Sequence, residues 1–310
     1  MVWIILLALL TLLFLAALIW SYGFVFYSPR GNQNDDYAVI ESRQMRPYLG
    51  RVRELIGSML ARPCERVTIR SRDGLRLSGR FYGGPADAPL VLCFHGYRGT
   101  AVRDFCGGAQ LMLDRGYRVL AVDERAHGQS EGHSICFGLK ERYDVLDWAE
   151  YAVKRFGPET EIALMGISMG AATVLMATEL PLPEQVKCVL ADCPYTSPRA
   201  IIREVARQMK LPAELCARFA GLVARLLLGV GLDDADAAGA VRHAGVPILL
   251  IHGDDDRFVP YEMGCRIAAA APERIRFETF PGAGHGMSFL TDEKRYTELV
   301  DGFCRGVFGS

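Results

Sequence analysis

The chain has 310 residues, and its 35 Lys+Arg nearly cancel 36 Asp+Glu to leave a net charge of −1. No long block of one sign is present to track a phosphate backbone, so a nucleic-acid partner is not expected. Half of the residues are apolar and Pro is not enriched, which argues against a disordered or fibrous chain and leaves room for a substantial core.

In chain order, residues 1–27 contain no Asp, Glu, Lys or Arg, and 2–20 are almost uninterrupted Leu, Ile, Ala and Phe. As a helix, 26 residues rise about 39 Å, enough to cross roughly 30 Å of hydrocarbon with tilt. Trp20, Tyr22 and Tyr27 suit the membrane interface. The segment is predicted as a single-pass transmembrane anchor. A cleaved signal peptide fits less well, because a basic n-region and a small-x-small site before Ser28 are both missing and the apolar run is too long. Arg30, Arg43, Arg46, Arg51 and Arg53 follow the span, diluted only slightly by Asp35 and Asp36, so the positive-inside tendency predicts a cytoplasmic body. Nine cysteines without framework spacing agree with a reducing compartment.

Residues 28–64 read as an amphipathic, Arg-bearing linker or stalk, with Val39, Ile40, Leu55, Ile56, Met59 and Leu60 as contact candidates. A hairpin is expected over 67–70 and 75–81 around Asp73-Gly74. Beyond it, apolar runs at 90–94, 118–122, 161–165, 186–191, 246–251 and 275–280 alternate with helix-like stretches. Such runs suit strands buried on both faces of a mostly parallel sheet flanked by helices, an α/β fold that places its chemistry where strands lead into helices. Most of those strand ends are polar or glycine-rich.

One of them, Gly166-Ile167-Ser168-Met169-Gly170, places a serine on a tight strand-to-helix turn, where flanking glycines let the backbone pass close to itself. A serine hydroxyl is a poor nucleophile without a base, and the base needs an orienting group. Asp256 and His285 each follow a predicted strand on the same edge as Ser168. Asp254 is a reserve for the carboxylate. His95 and His127 are expected to brace loops through hydrogen bonds. His133, His243 and His252 show no metal-ligand spacing, and neither a metal nor an organic cofactor is expected. The Gly-x-Gly-x-x-Gly dinucleotide spacing is missing around Gly96 and Gly99.

The order Ser, Asp, His, together with Phe94-His95-Gly96-Tyr97, Asp123-Glu124-Arg125-Ala126-His127-Gly128-Gln129-Ser130, the elbow 166–170, His252 to Pro260 and Gly284-His285-Gly286, resembles the α/β-hydrolases over 67–308. The resemblance is nearest to single-domain bacterial hydrolases of the monoglyceride-lipase and acyl-protein-thioesterase-like type. It implies an α/β-hydrolase domain over 65–310, with Ser168 as nucleophile, His285 as general base then acid, and Asp256 as the carboxylate that holds the imidazole. It also implies the backbone N–H groups of Tyr97 and Met169 as oxyanion donors. Arg98 and Tyr195 are candidates for substrate binding, and 196–245, apolar at helical spacing, either packs onto the sheet or forms a small helical cap that lines an acyl pocket.

The implied activity is a membrane-anchored serine hydrolase that cleaves carboxylic esters or thioesters of small-molecule or lipid-like acyl substrates. A peptidase of the prolyl-oligopeptidase clan and a non-catalytic membrane scaffold on a hydrolase fold are the alternatives.

Overall fold

The computed structural model describes residues 1–28, 36–39 and 42–309. Arg30, Asp35 and Ile40, singled out above, lie outside the described residues. A helix α1 (Val2–Val25) leads, through a short 3-10 turn Arg46–Tyr48, into α2 (Leu49–Ala61). The hairpin β1 (Glu65–Arg70) and β2 (Arg76–Tyr82) follows, then β3 (Leu90–Phe94), α3 (Ala101–Phe105), α4 (Gly108–Asp114) and β4 (Arg118–Asp123). Next come α5 (Glu141–Phe156), β5 (Ile162–Ile167), α6 (Met169–Ala177) and β6 (Val186–Asp192). The expected insertion forms α7 (Pro198–Gln208), α8 (Ala213–Val223) with a π turn Ala224–Leu228, and α9 (Ala237–Ala240). The chain closes with β7 (Ile248–Gly253), α10 (Tyr261–Ala270), β8 (Ile275–Phe280), α11 (Ser288–Thr291) and α12 (Glu293–Phe308).

Eight strands form one sheet in the order β1-β2-β4-β3-β5-β6-β7-β8. Only the β1–β2 and β2–β4 pairs are antiparallel, so β3 to β8 run parallel and end on a common edge. Every residue of β3, β4 and β7 is buried, as expected of strands covered on both faces. Alternation divides them: Leu90, Leu92 and Phe94 join the core beneath α5, α6 and the α7–α9 insertion, while Val91 and Cys93 join the core under α2, α3, α4 and α12.

Local chemistry sets the helix ends. Ser197 caps α7 by accepting from the Ala200 amide, with Pro198 at its first position, and Asp236 and Asp292 cap α9 and α12 in the same way.

Helix α1 is exposed along most of its length and is long and apolar enough to cross a membrane. Its last turns are docked on the body. Leu18, Ser21 and Phe26 are buried, Phe14 meets Phe219 of α8 edge-to-face with ring centroids 6.3 Å apart, and the Tyr22 hydroxyl shares a 2.7 Å hydrogen bond with Ser134.

The stalk expected over 28–64 is corrected for its helical part. Val52, Leu55, Ile56 and Met59 fall at i, i+3, i+4 and i+7 and are buried in the core that α2 shares with α3, α4 and α12, while Leu60 stays exposed. Arg51 adds a bidentate pair to Glu293 of α12 at 2.8 Å on each arm. Because the Ile56 side chain is fully buried, Ile56→Ala is expected to lower the unfolding free energy by about 2–4 kcal/mol. Urea unfolding measures this; a loss below about 0.5 kcal/mol, the range of ordinary surface substitutions, would mean that α2 is not part of the core.

Candidate active site

The end of β5 turns directly into α6 at Ser168, whose φ of 55° and ψ of −113° lie in a region that side chains rarely adopt. Two glycines make the turn possible. A β-carbon on Gly166 would overlap the Gly170 carbonyl, and one on Gly170 would overlap the Phe94 carbonyl of neighbouring β3. The Ser168 amide is tied to the Asp192 carbonyl at the end of β6, 2.8 Å away.

His285, in the loop after β8, reaches both neighbours. Its Nε2 lies 2.8 Å from Ser168 Oγ and its Nδ1 lies 2.8 Å from Asp256 Oδ2. With Nδ1–H donating to the carboxylate, Nε2 is left as the acceptor for the serine proton. The other Asp256 oxygen accepts the amides of Phe258 and Val259 at 2.9 and 2.8 Å. Burial pushes the Asp256 carboxyl upward, but the His285 charge and hydrogen bonds from His252 and His285 outweigh it and hold the group below the usual carboxylate range. Asp254 instead accepts the Gly282 amide, and Asp255 binds Gln44 and Arg257. Among the three consecutive aspartates, the structure brings Asp256 to the imidazole.

The loop after β3 is held by its own amides. Gly96 N–H donates to Asp104 Oδ2 at 2.9 Å, Arg98 N–H to His127 Nε2 at 3.1 Å, and Gly99 N–H to the Gly96 carbonyl at 2.9 Å. His95 Nε2 accepts the Glu124 amide and its Nδ1 pairs with the Gly96 carbonyl, so both histidines brace loops as neutral rings. Burial pushes the pKa of each down, which keeps the acceptor nitrogens free of protons. The amides of Tyr97 and Met169 donate to no other described residue. They flank Ser168: Met169 is its chain neighbour, and a β-carbon on Gly96 would lie 3.4 Å from Ser168 Cβ.

A cavity of about 510 Å³ opens beside Ser168 and His285. Its walls are mostly apolar: Phe105 from α3, Met165 and Ile167 from β5, Phe289 and Leu290 from α11, and Val39, Met45, Val52 and Leu55 from the N-terminal segment. No described residue of 196–245 lines it, so the cap expected to form the acyl pocket is corrected. That insertion buries Ile201, Ile202, Ala217, Ala220 and Val223 against the body, and Val39, Met45, Val52 and Leu55 supply the wall instead.

The two substrate-binding candidates are also placed elsewhere. Arg98 donates to the carbonyls of Phe24 and Tyr27, which the C-terminal end of α1 leaves open, and its guanidinium stacks on the Tyr97 ring. Tyr195 is buried, and its hydroxyl donates to the Phe137 carbonyl at 3.0 Å. Neither lines the cavity. Sequence reasoning missed Asp192, Asp104 and Gln44. Asp192 lines the cavity as a buried carboxyl, pushed up to about 6 by burial against an opposing hydrogen bond from Ser288 Oγ. Gln44 crosses from the N-terminal segment to Asp255. The apolar setting of Asp192 was the only available signal, and a single carboxylate at a strand end is not distinctive.

As a metal centre the site is poor. Cys193 lies with Asp256 and His285 within ligand range, but burial holds its thiol protonated, and the facing carboxylate and imidazole atoms are already bonded to each other.

Comparison with known proteins bears on this geometry. A family model described as the alpha/beta hydrolase fold matches residues 89–244. The bifunctional esterase/perhydrolase DCH of Acinetobacter calcoaceticus is 24% identical over 75% of this chain and 97% of its own. The lysophosphatidylserine lipase ABHD12 of Danio rerio is 25% identical over 70% of this chain and 58% of its own. Among solved structures, the Pyrococcus furiosus esterase Pf2001 superposes with a TM-score of 0.68 at 21% identity, covering 91% of this chain and 98% of that one.

The two buried carboxyls make opposite contributions to stability. Asp192, raised from 3.8 to about 6, keeps a proton that the unfolded chain gives up, so stability falls as pH rises through that window. Asp256, lowered, contributes stability that is present above the ordinary carboxylate range and lost as pH falls below it. Urea unfolding across pH is expected to show the decline between about pH 4 and 6 flattened by Asp192→Asn and the loss below pH 4 reduced by Asp256→Asn; profiles parallel to the wild type would contradict both assignments.

Proposed function

The chain belongs to the α/β-hydrolase fold family, and from that membership we propose that it is a membrane-anchored serine hydrolase that cleaves carboxylic esters or thioesters through an acyl-enzyme. One observation carries the reading: the continuous hydrogen-bond line from Ser168 Oγ through His285 to Asp256, 2.8 Å at each step. In the proposed cycle His285 Nε2 takes the proton as Ser168 Oγ attacks the acyl carbon. The amides of Tyr97 and Met169 receive the oxyanion that develops. His285 then returns the proton to the leaving alcohol or thiol, and water repeats the sequence to release the acid. Asp256 remains ionised and stabilises the imidazolium; its depressed pKa suits that task.

The apolar cavity supports an acyl or similarly apolar substrate group, since its volume lies in the range of small-molecule sites. Two relatives, an esterase/perhydrolase and a lysophosphatidylserine lipase, support esters as the substrate class. In this reading α1 is the anchor, Val39, Ser42, Gln44, Met45, Val52 and Leu55 wall the cavity, 65–310 form the hydrolase domain with 196–245 as its insertion, and the Arg-rich flank after the span favours a cytoplasmic body.

A fluorescent fluorophosphonate is expected to label the wild type and not Ser168→Ala. Ester turnover is expected to fall on the order of 10⁴-fold in Ser168→Ala and His285→Ala, and somewhat less in Asp256→Asn. Equal labelling of wild type and Ser168→Ala would remove the serine mechanism, and a preference for peptide over p-nitrophenyl ester substrates would favour a peptidase.

A further inference from the structure

Helix α8 and its π turn divide into three longitudinal sectors. Ala217, Ala220, Val223 and Ala224 are buried in the body. Leu215, Phe219, Leu222 and Leu226 recur at i, i+4, i+7 and i+11 and form a second stripe, with Phe219 half-buried and the three leucines exposed. On this stripe Leu215 is 65% and Leu226 58% exposed. Arg218 and Arg225 border it on one side, each beside a carboxylate: Arg218 with Glu214 at 3.2 Å and Arg225 with Asp234 at 3.7 Å. An apolar stripe edged by long cations is the pattern of a helix that lies in a membrane interface, with the arginines extending toward headgroups.

The occupant of that stripe is fixed by what lies next to it. Phe219 belongs to the stripe and packs against Phe14 of α1. Helix α1 docks on the body from Leu18 onward, so if it crosses the bilayer Phe14 lies one turn, about 6 Å, beyond the docked turns, within the depth at which an interfacial helix is buried. The body cannot both stand clear of the membrane and keep this contact. We infer that the α8 stripe is immersed in the same leaflet that α1 traverses, so that the protein meets the membrane through a surface of two elements rather than through a single tether. The apolar cavity makes no use of the stripe, which leaves it free for lipid. The charges of Arg218 and Arg225 then lie at headgroup level, where a cation is far less costly than at the bilayer centre.

This inference rests on the anchor reading of α1, and the test separates the two. Full-chain protein carrying p-benzoylphenylalanine at position 215, 222 or 226 is reconstituted in phosphatidylcholine vesicles and irradiated, with position 7 in α1 as positive control. Position 294, an exposed lysine on α12 across the sheet, is the negative control. Lipid adducts read by mass spectrometry are expected at 7 and at the three α8 positions, at least tenfold above position 294. Adducts at 7 alone would overturn the immersed stripe and leave the anchor standing, as would crosslinks from α8 to a second copy of the chain. Absence of adducts at 7 would overturn the anchor and the inference together. Three separate α8 positions, each checked for an unchanged thermal midpoint, protect the result against one misfolded variant.

Discussion

The near-contact of three backbone segments at Gly166, Gly170 and the Phe94 carbonyl is the constraint on which the rest depends. Because the chain passes from β5 into α6 with no room for a side chain at either glycine, Ser168 is forced into a left-handed conformation at the sheet edge. The parallel strands bring the other participants to that edge. The loop after β3 supplies one open amide, the start of α6 another, and the loops after β7 and β8 supply a carboxylate and an imidazole. Strain at one residue is tolerated because β5 is hydrogen-bonded to β3 on one side and to β6 on the other.

Electrostatics differentiates groups that are chemically alike. Asp256 and Asp192 are both buried close to His285, yet one is held ionised and the other is pushed toward its neutral form. Asp256 receives two backbone amides and the imidazole N–H, whereas Asp192 receives only the Ser288 hydroxyl. For Asp256 the His285 charge and the histidine hydrogen bonds outweigh burial, whereas for Asp192 burial outweighs the Ser288 hydrogen bond. His95 and His127 illustrate the same rule in reverse, since each uses a bare ring nitrogen to accept a backbone amide and burial keeps that nitrogen unprotonated.

The N-terminal segment joins helix α1 to the Ser168 edge of the sheet in a way that a flexible tether could not. Tyr97 and Arg98, in the loop that offers an open amide beside Ser168, bind the carbonyls of Val25, Phe24 and Tyr27 with their side chains. Arg103 and Thr100 bind Ala38 and Asp36, and Gln44 reaches Asp255. The end of α1, residues Asp36, Ala38 and Gln44, and the loops at the Ser168 edge of the sheet therefore share one hydrogen-bonded framework, and an apolar cavity opens beside it.

Much of this was legible in the order of residues alone. Buried strands announce themselves as short apolar runs, the elbow needs glycines on both sides of its serine, and the order Ser, Asp, His with its flanking strings carries the family resemblance. The charge-free opening of the chain was equally plain, because bilayer hydrocarbon tolerates little else. Other assignments depended on which surfaces meet. Arg98 and Tyr195 stood at the right strand ends, but side-chain direction sent one to the end of α1 and the other into the core. The apolar insertion 196–245 carried a pattern that fits a pocket wall and a packed helix pair equally well, and 49–61 one that fits a stalk and a core helix. Periodicity says that a face is apolar; only the folded chain decides what that face is pressed against, because its partners come from segments far away in sequence.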